Sequence, residues 1–142
     1  MVDTLLLTHA ANTWFLVGLI WVIQLVHYPS FALVGSQEFG VFHREHLRRI
    51  SWIVMPLMCL ELAGALAWPL LWAAADQRHL AWLNLLLLLA IWLVTALLAV
   101  PLHRQLEQGA DAQAAARLVR ANWPRTALWT MRGLVLLAVL CR

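Results

Sequence analysis

The sequence predicts an all-α protein: a four-helix transmembrane bundle with antiparallel neighbours, built as one domain over residues 1–142. Three observations carry this reading. Hydrophobic residues make up 63% of the chain and charged residues only 12%, where a soluble domain is about one quarter charged. Four segments are long and apolar enough to approach the ~20 residues that a spanning helix needs. The connections between them are short or themselves helical, which makes successive spans neighbours.

The first span is expected from about Thr4 to Tyr28, stopping at Pro29, because a residue before proline disfavours helix. The stretch from Pro29 to Arg49 opens with turn residues and then turns helical, with Ser36 as the expected N-cap. That helix is expected to run on into the second span, from about Ile50 to Ala75, with Pro56 and Pro69 as kinks. The third span runs from about Leu80 to Val100, with Pro101 near its end. After Gly109, the segment DAQAAARLVRAN reads as an interfacial amphipathic helix. The fourth span runs from about Trp123 to Leu140, with Pro124 in its first turn, where proline is tolerated. Cys59 and Cys141 read as small buried hydrophobes rather than as a disulfide or a metal pair. The N-terminus lacks a basic n-region and a small-residue cleavage site, so the first span reads as retained.

Charge gives the expected orientation. All ten basic residues are arginine. With the abundance of Ala and Leu, this composition points to a GC-rich bacterium. Arg44, Arg48 and Arg49 lie in the first connection, and Arg104, Arg117, Arg120 and Arg125 in the third. Only Arg78 lies in the second. Connections one and three are therefore expected in the cytoplasm of a bacterial inner membrane, with both termini outside it. The net charge of +3 is topology information and implies no nucleic-acid partner. Trp52, Trp72, Trp82 and Trp123 fall where an aromatic belt would. Trp21, Trp92 and Trp129 fall deeper, as packing residues.

Two charges sit inside apolar runs. Glu61 lies roughly 16 Å past the cytoplasmic start of span two and Arg132 roughly 14 Å past that of span four, at 1.5 Å per residue. Charges at bilayer depth are costly and seek partners, so the two are expected to pair. The pair reads either as a packing device or as a position for protons, ions or substrate. Asn122, Arg125, Trp129 and Arg132 follow helical spacing and share one face of span four, which must meet protein or water rather than lipid. Span one carries Thr13, Gln24 and His27, and span three carries Asn84, Thr95 and His103.

Histidines supply the second constellation. His27 ends span one and His103 ends span three, on the same side. His43 and His46 are three apart on the helix entering span two, in the same layer. An i, i+3 pair can aim two imidazoles at one metal, with further ligands from other helices. His27, His43, His46 and His103 are therefore the candidate ligands of iron, copper or zinc. Alternatively, His27 and His103 would be the axial ligands of haem b. Solvated or interfacial histidines are the plainer alternative. His9 and His79 lie at the opposite face and are excluded. The candidate catalytic residues are Glu61, Arg125 and Arg132. Arg125 and Asn122 would orient an anionic or carbonyl-bearing ligand, and Glu61 would relay protons.

The strings QLVHYPSF, FHREHLRRI, VPLHRQL and NWPRTALWTMRG resemble the pattern of an uncharacterised family of small bacterial four-helix membrane proteins, over nearly the whole chain. That resemblance implies the fold and no activity. A weaker likeness is to the anthrone-oxygenase-like membrane proteins, through the Asn–X–X–Arg–Thr motif at Asn122, Arg125 and Thr126. Trp123 stands where that motif has histidine, so no activity is carried over. The haem-binding four-helix porphyrinogen oxidases are of similar size but share no local motif.

The leading functional expectation is redox or other metal-dependent chemistry at the histidine site, with the lipid bilayer and a small-molecule or quinone-like substrate as partners. A homo-oligomer is compatible with this reading. The alternatives are a small ion or solute transporter using Glu61 and Arg132, and a structural membrane subunit.

Overall fold

The computed structural model describes residues 4–109 and 112–141. Four long helices account for nearly all of them: α1 (Thr4–Leu33), α2 (Phe39–Trp72), α3 (Arg78–Glu107) and α4 (Ala112–Leu140). No strand occurs among the described residues. α1, α2 and α3 are each long and apolar enough to cross a membrane. The protein is therefore a membrane protein.

The prolines do not end the helices as expected. α1 continues through Pro29 to Leu33, and α3 continues through Pro101 to Glu107. The reason is a widened turn next to Pro29, Pro69 and Pro101. Ile23–His27, Trp68–Trp72 and Thr95–Ala99 are wound with five-residue hydrogen bonds instead of four. The Tyr28 N–H donates to the Ile23 carbonyl, and the Val100 N–H to the Thr95 carbonyl. An added residue in the turn relieves the contact between the proline ring and the carbonyl four residues back. Such a turn also re-phases the residues that follow it. In α3 the inward positions include Asn84, Leu88 and Ile91 before the widened turn and Ala99 and Leu106 at its end and beyond it.

Two other boundaries differ from the expectation. α2 begins at Phe39, after Glu38, and Ser36 does not cap it. The Gly35 carbonyl instead accepts the Glu38 and Phe39 N–H groups. The segment after residue 111 and the fourth span form a single helix that runs through Pro124. Asp111 itself lies outside the described residues. α4 is the one long helix not apolar enough to rank with the other three, because Arg117, Arg120, Arg125, Arg132 and Asn122 interrupt it. It is also central, packing extensively on both α1 and α3.

The core has three tiers. In the first, Leu6 and Ala10 near the start of α1 meet Trp68 near the end of α2, Ala81 near the start of α3 and Leu136 near the end of α4. In the middle tier, Leu16, Val17 and Ile20 meet Met58, Leu88, Ile91 and Trp129. In the third, Tyr28 and Phe31 meet Phe39, Leu106 and Leu118. The outward faces are apolar as well: Leu33 is 87% exposed and Leu71 79%. A soluble monomer does not present so much contiguous apolar surface. Trp52, Trp82 and Trp123 are exposed and Trp129 is buried, as their positions suggested, whereas Trp21 is exposed. Trp21 donates to Thr130 Oγ1 at 3.1 Å across the α1–α4 contact. Cys59 and Cys141 are free and exposed rather than buried, since both point away from the tiers.

Close approach of α1 and α2 requires Gly64. A Cβ there would stand 2.5 Å from His9 Nδ1, whereas a Cβ at Gly18 meets nothing within 4 Å. Gly64→Ala should therefore destabilise the detergent-solubilised protein by about 1–3 kcal/mol through overpacking. Gly18→Ala should be neutral or stabilising by up to about 1 kcal/mol, from helix propensity. Thermal unfolding of both variants checks the contrast; equal melting temperatures would show that the α1–α2 approach is looser than described.

Candidate functional site

The polar side chains inside the protein form two layers, at different heights. The first centres on Glu61, which is fully buried. Arg132 Nη1 stands 2.6 Å from Glu61 Oε2, so the two mid-span charges pair directly. Asn12 Nδ2 donates to Glu61 Oε1 at 2.7 Å. Thr13 Oγ1 lies 3.0 and 2.9 Å from the two carboxylate oxygens. On the other side of the guanidinium, Arg132 Nη2 and Nε donate to Asn84 Oδ1 at 2.9 and 3.3 Å. His9 Nε2 lies 3.4 Å from Arg132 Nη2, and its Nδ1 lies 4.0 Å from Glu61 Oε2. The guanidinium also sits over Trp129, 5.1 Å from the ring centroid. One residue or more from each helix thus meets at a single ion pair. With its lone pairs and donors engaged in this way, a buried pair is tolerated in a low-dielectric interior.

The second layer holds the four histidines. His27 Nε2 and His46 Nδ1 are 2.7 Å apart, joining α1 to α2. His43 Nε2 and His103 Nδ1 are 3.1 Å apart, joining α2 to α3. In each pair one nitrogen donates and the other accepts, so the accepting imidazole is neutral. The Tyr28 hydroxyl meets His103 Nε2 at 3.0 Å. Neighbouring ring centroids are 4.1 Å apart for His27 and His46, 5.3 Å for His43 and His103, and 6.5 Å for His43 and His46. Phe31 packs edge-on against His27, His43 and His46 and holds them in register.

α4 closes this layer. Asn122 Nδ2 donates to Gln24 Oε1 at 2.9 Å, and Arg125 Nη1 donates to Asn122 Oδ1 at 2.9 Å. Gln24 Nε2 in turn donates to the Val119 carbonyl at 3.1 Å. A cavity of about 120 Å³ lies beside the histidines, with His46, His103, Tyr28, Ser51, Thr95 and Arg125 in its wall. The middle tier of the core separates the two polar layers. No hydrogen bond joins the Glu61 network to the histidine network among the described residues.

His27, His43, His46 and His103 thus come together, with Arg125 and Asn122 adjoining them and Glu61 and Arg132 in the other layer. Among the described residues, no group of three or more His, Cys, Asp or Glu side chains stands in metal-holding geometry. His9 was set aside as lying at the opposite face. It is buried and belongs to the Glu61–Arg132 centre. His9, Asn12 and Thr13 share one face of α1 by their three- and four-residue spacing. Polar residues on one face of an apolar span are the signal that could have added His9 and Asn12 to Thr13. Tyr28 was also missed, and the burial of its ring gives it its place against His103.

Removing one member of the ion pair leaves the other buried and uncompensated, which typically costs about 3–5 kcal/mol. Glu61→Ala and Arg132→Ala should each lower stability by that order, and a Glu61→Leu/Arg132→Met double variant should lose less than either. Melting of the variants in detergent measures this; single variants that melt with the parent would exclude a structural role for the pair.

No protein-family model, no curated protein and no solved structure matches this chain, so the functional reading rests on the side chains themselves.

Proposed function

We propose that this protein is a four-helix transmembrane bundle with antiparallel neighbours in a bacterial cytoplasmic membrane, with both termini outside the cytoplasm. Its histidine layer is a transition-metal site that serves redox or other metal-dependent membrane chemistry. The two outer core tiers support the antiparallel arrangement, since each joins the start of one helix to the end of the next. The arginines of the first and third connections support the orientation.

The observation that carries the metal reading is the pairing of four imidazoles from three helices. Their paired nitrogens are 2.7 and 3.1 Å apart. Two ligands on one tetrahedral ion, each about 2.0–2.1 Å from it, stand roughly 3.3 Å apart. Small ring rotations therefore turn hydrogen-bonded pairs into ligand pairs, and neutral imidazoles suit iron, copper and zinc. The cavity of about 120 Å³ between the histidines and α4 suits an ion with a small ligand, whereas the open groove of about 520 Å³ against His27 and His46 is of the size that larger ligands occupy, so absorption must decide between ion and haem. The Glu61–Arg132 centre then fixes the helices that carry the histidines. A transporter built on that pair is the rival, and the apolar middle tier counts against a continuous polar path.

Elemental analysis and absorption spectroscopy of the purified protein test the metal. The expected result is bound iron, copper or zinc that falls severalfold in a His27→Ala/His103→Ala variant of unchanged helicity. A Soret band would replace the ion by haem; a folded protein that takes up neither would overturn the reading. For orientation, a periplasm-active reporter fused to the C-terminus should be active and a cytoplasm-active one silent. The reverse pattern would invert the proposed sidedness.

A further inference from the structure

The cavity beside the histidines has a wall built from all four helices and contains no carboxylate. Its polar lining is Tyr28, His46, Ser51, Thr95, His103 and Arg125. Thr95 is already committed, donating to the Ile91 carbonyl at 2.7 Å. Arg125 is not fully engaged: Nη1 donates to Asn122 Oδ1 at 2.9 Å and the guanidinium hydrogen-bonds the Tyr28 hydroxyl, but Nε is buried and has no hydrogen-bond partner. Among the described residues, no Asp or Glu stands within salt-bridge distance of Arg125. By contrast, Arg132 has Glu61, and Arg48 and Arg49 share Glu45.

A guanidinium facing a protein cavity without a counter-charge, and with a buried donor unsatisfied, is unfavourable unless an anion joins it. We propose that this cavity binds a small carboxylate-type oxyanion, held by Arg125 and completed by the Ser51 hydroxyl. Guanidinium donors match carboxylate geometry, and charge-assisted bonds of this kind are the strong ones. The volume of about 120 Å³ is that of roughly four water molecules in the liquid, at about 30 Å³ each. It therefore suits an anion of one or two carbons better than an aromatic acid. The proposal names the ligand class of the same histidine layer, and rests on that layer being the functional centre. It does not depend on a metal.

Isothermal titration calorimetry on chelator-treated protein in detergent and carboxylate-free buffer tests it, with formate and acetate as probes. The expected result is saturable one-to-one binding to the parent, weakened at least tenfold in Arg125→Gln and in Ala99→Leu, which fills the cavity from α3. Benzoate should not bind. Arg125→Lys, which keeps the charge without the planar fork, should bind several-fold more weakly than the parent, and it replaces Arg125→Gln if that variant does not fold. Absence of saturable formate binding to the parent would overturn the proposal, as would unchanged affinity in a folded Arg125→Gln or Ala99→Leu. Binding of inorganic phosphate in preference to formate would also overturn it, pointing to a lipid headgroup. Formate binding by a protein that never takes up metal would overturn the metal reading alone; metal uptake without formate binding would overturn this inference alone.

Discussion

The Glu61–Arg132 ion pair is the constraint around which the rest of the molecule is arranged. Each charge alone would be intolerable at the depth where its helix carries it. Together they need further donors and acceptors, and these come from His9, Asn12 and Thr13 on α1 and from Asn84 on α3. The pair therefore fixes rotation as well as proximity. If α1 turned so that Thr13 faced outward, or α3 so that Asn84 did, a buried charge would lose part of its solvation. Apolar packing alone is less exacting, because neighbouring lipid tails are as apolar as leucine.

The widened turns transmit that fixed rotation to the histidine layer. In α1 the turn Ile23–His27 lies between Thr13 and Tyr28, and in α3 the turn Thr95–Ala99 lies between Asn84 and His103. Each adds a residue to the helical register just before the histidine layer. His103 thereby faces both His43 and Tyr28, and His27 faces His46. The prolines that follow these turns stabilise them, since an ordinary turn would bring the ring against a backbone carbonyl. Pro29 and Pro101 thus set the facing of the site without touching it.

Between the two layers lies an apolar tier that includes Leu16, Ile20, Leu88 and Ile91. It divides the labour of the polar residues. The ion-pair centre has its hydrogen-bonding capacity largely consumed by the four helices. Buried atoms without a hydrogen-bond partner occur in both layers: Asn84 Nδ2 and Arg132 Nη1 around the ion pair, where Arg132 Nη1 has its charge contact with Glu61, and His43 Nδ1 and Arg125 Nε in the histidine layer. Unused polar atoms are rare in protein interiors, and of these residues Arg125 is the one in the wall of the cavity.

The sequence by itself determined the membrane class, the four helices, the Glu61–Arg132 pair and the membership of the histidine layer. All of these follow from hydropathy and from depth along a helix of fixed rise, which are one-dimensional quantities. Only the tertiary structure decided that His9 joins the ion pair, that Tyr28 backs His103, and which imidazole faces which. Those outcomes depend on helix rotation, and rotation was altered at the widened turns, where a constant 3.6-residue repeat no longer holds. The same limit explains Cys59: hydropathy places it in a span but does not say which side of the helix it occupies, and the inward face of α2 there is taken by Met58 and Glu61. The unpaired Nε of Arg125 was likewise illegible, because an unmet hydrogen bond is a property of neighbours brought together from four separate helices.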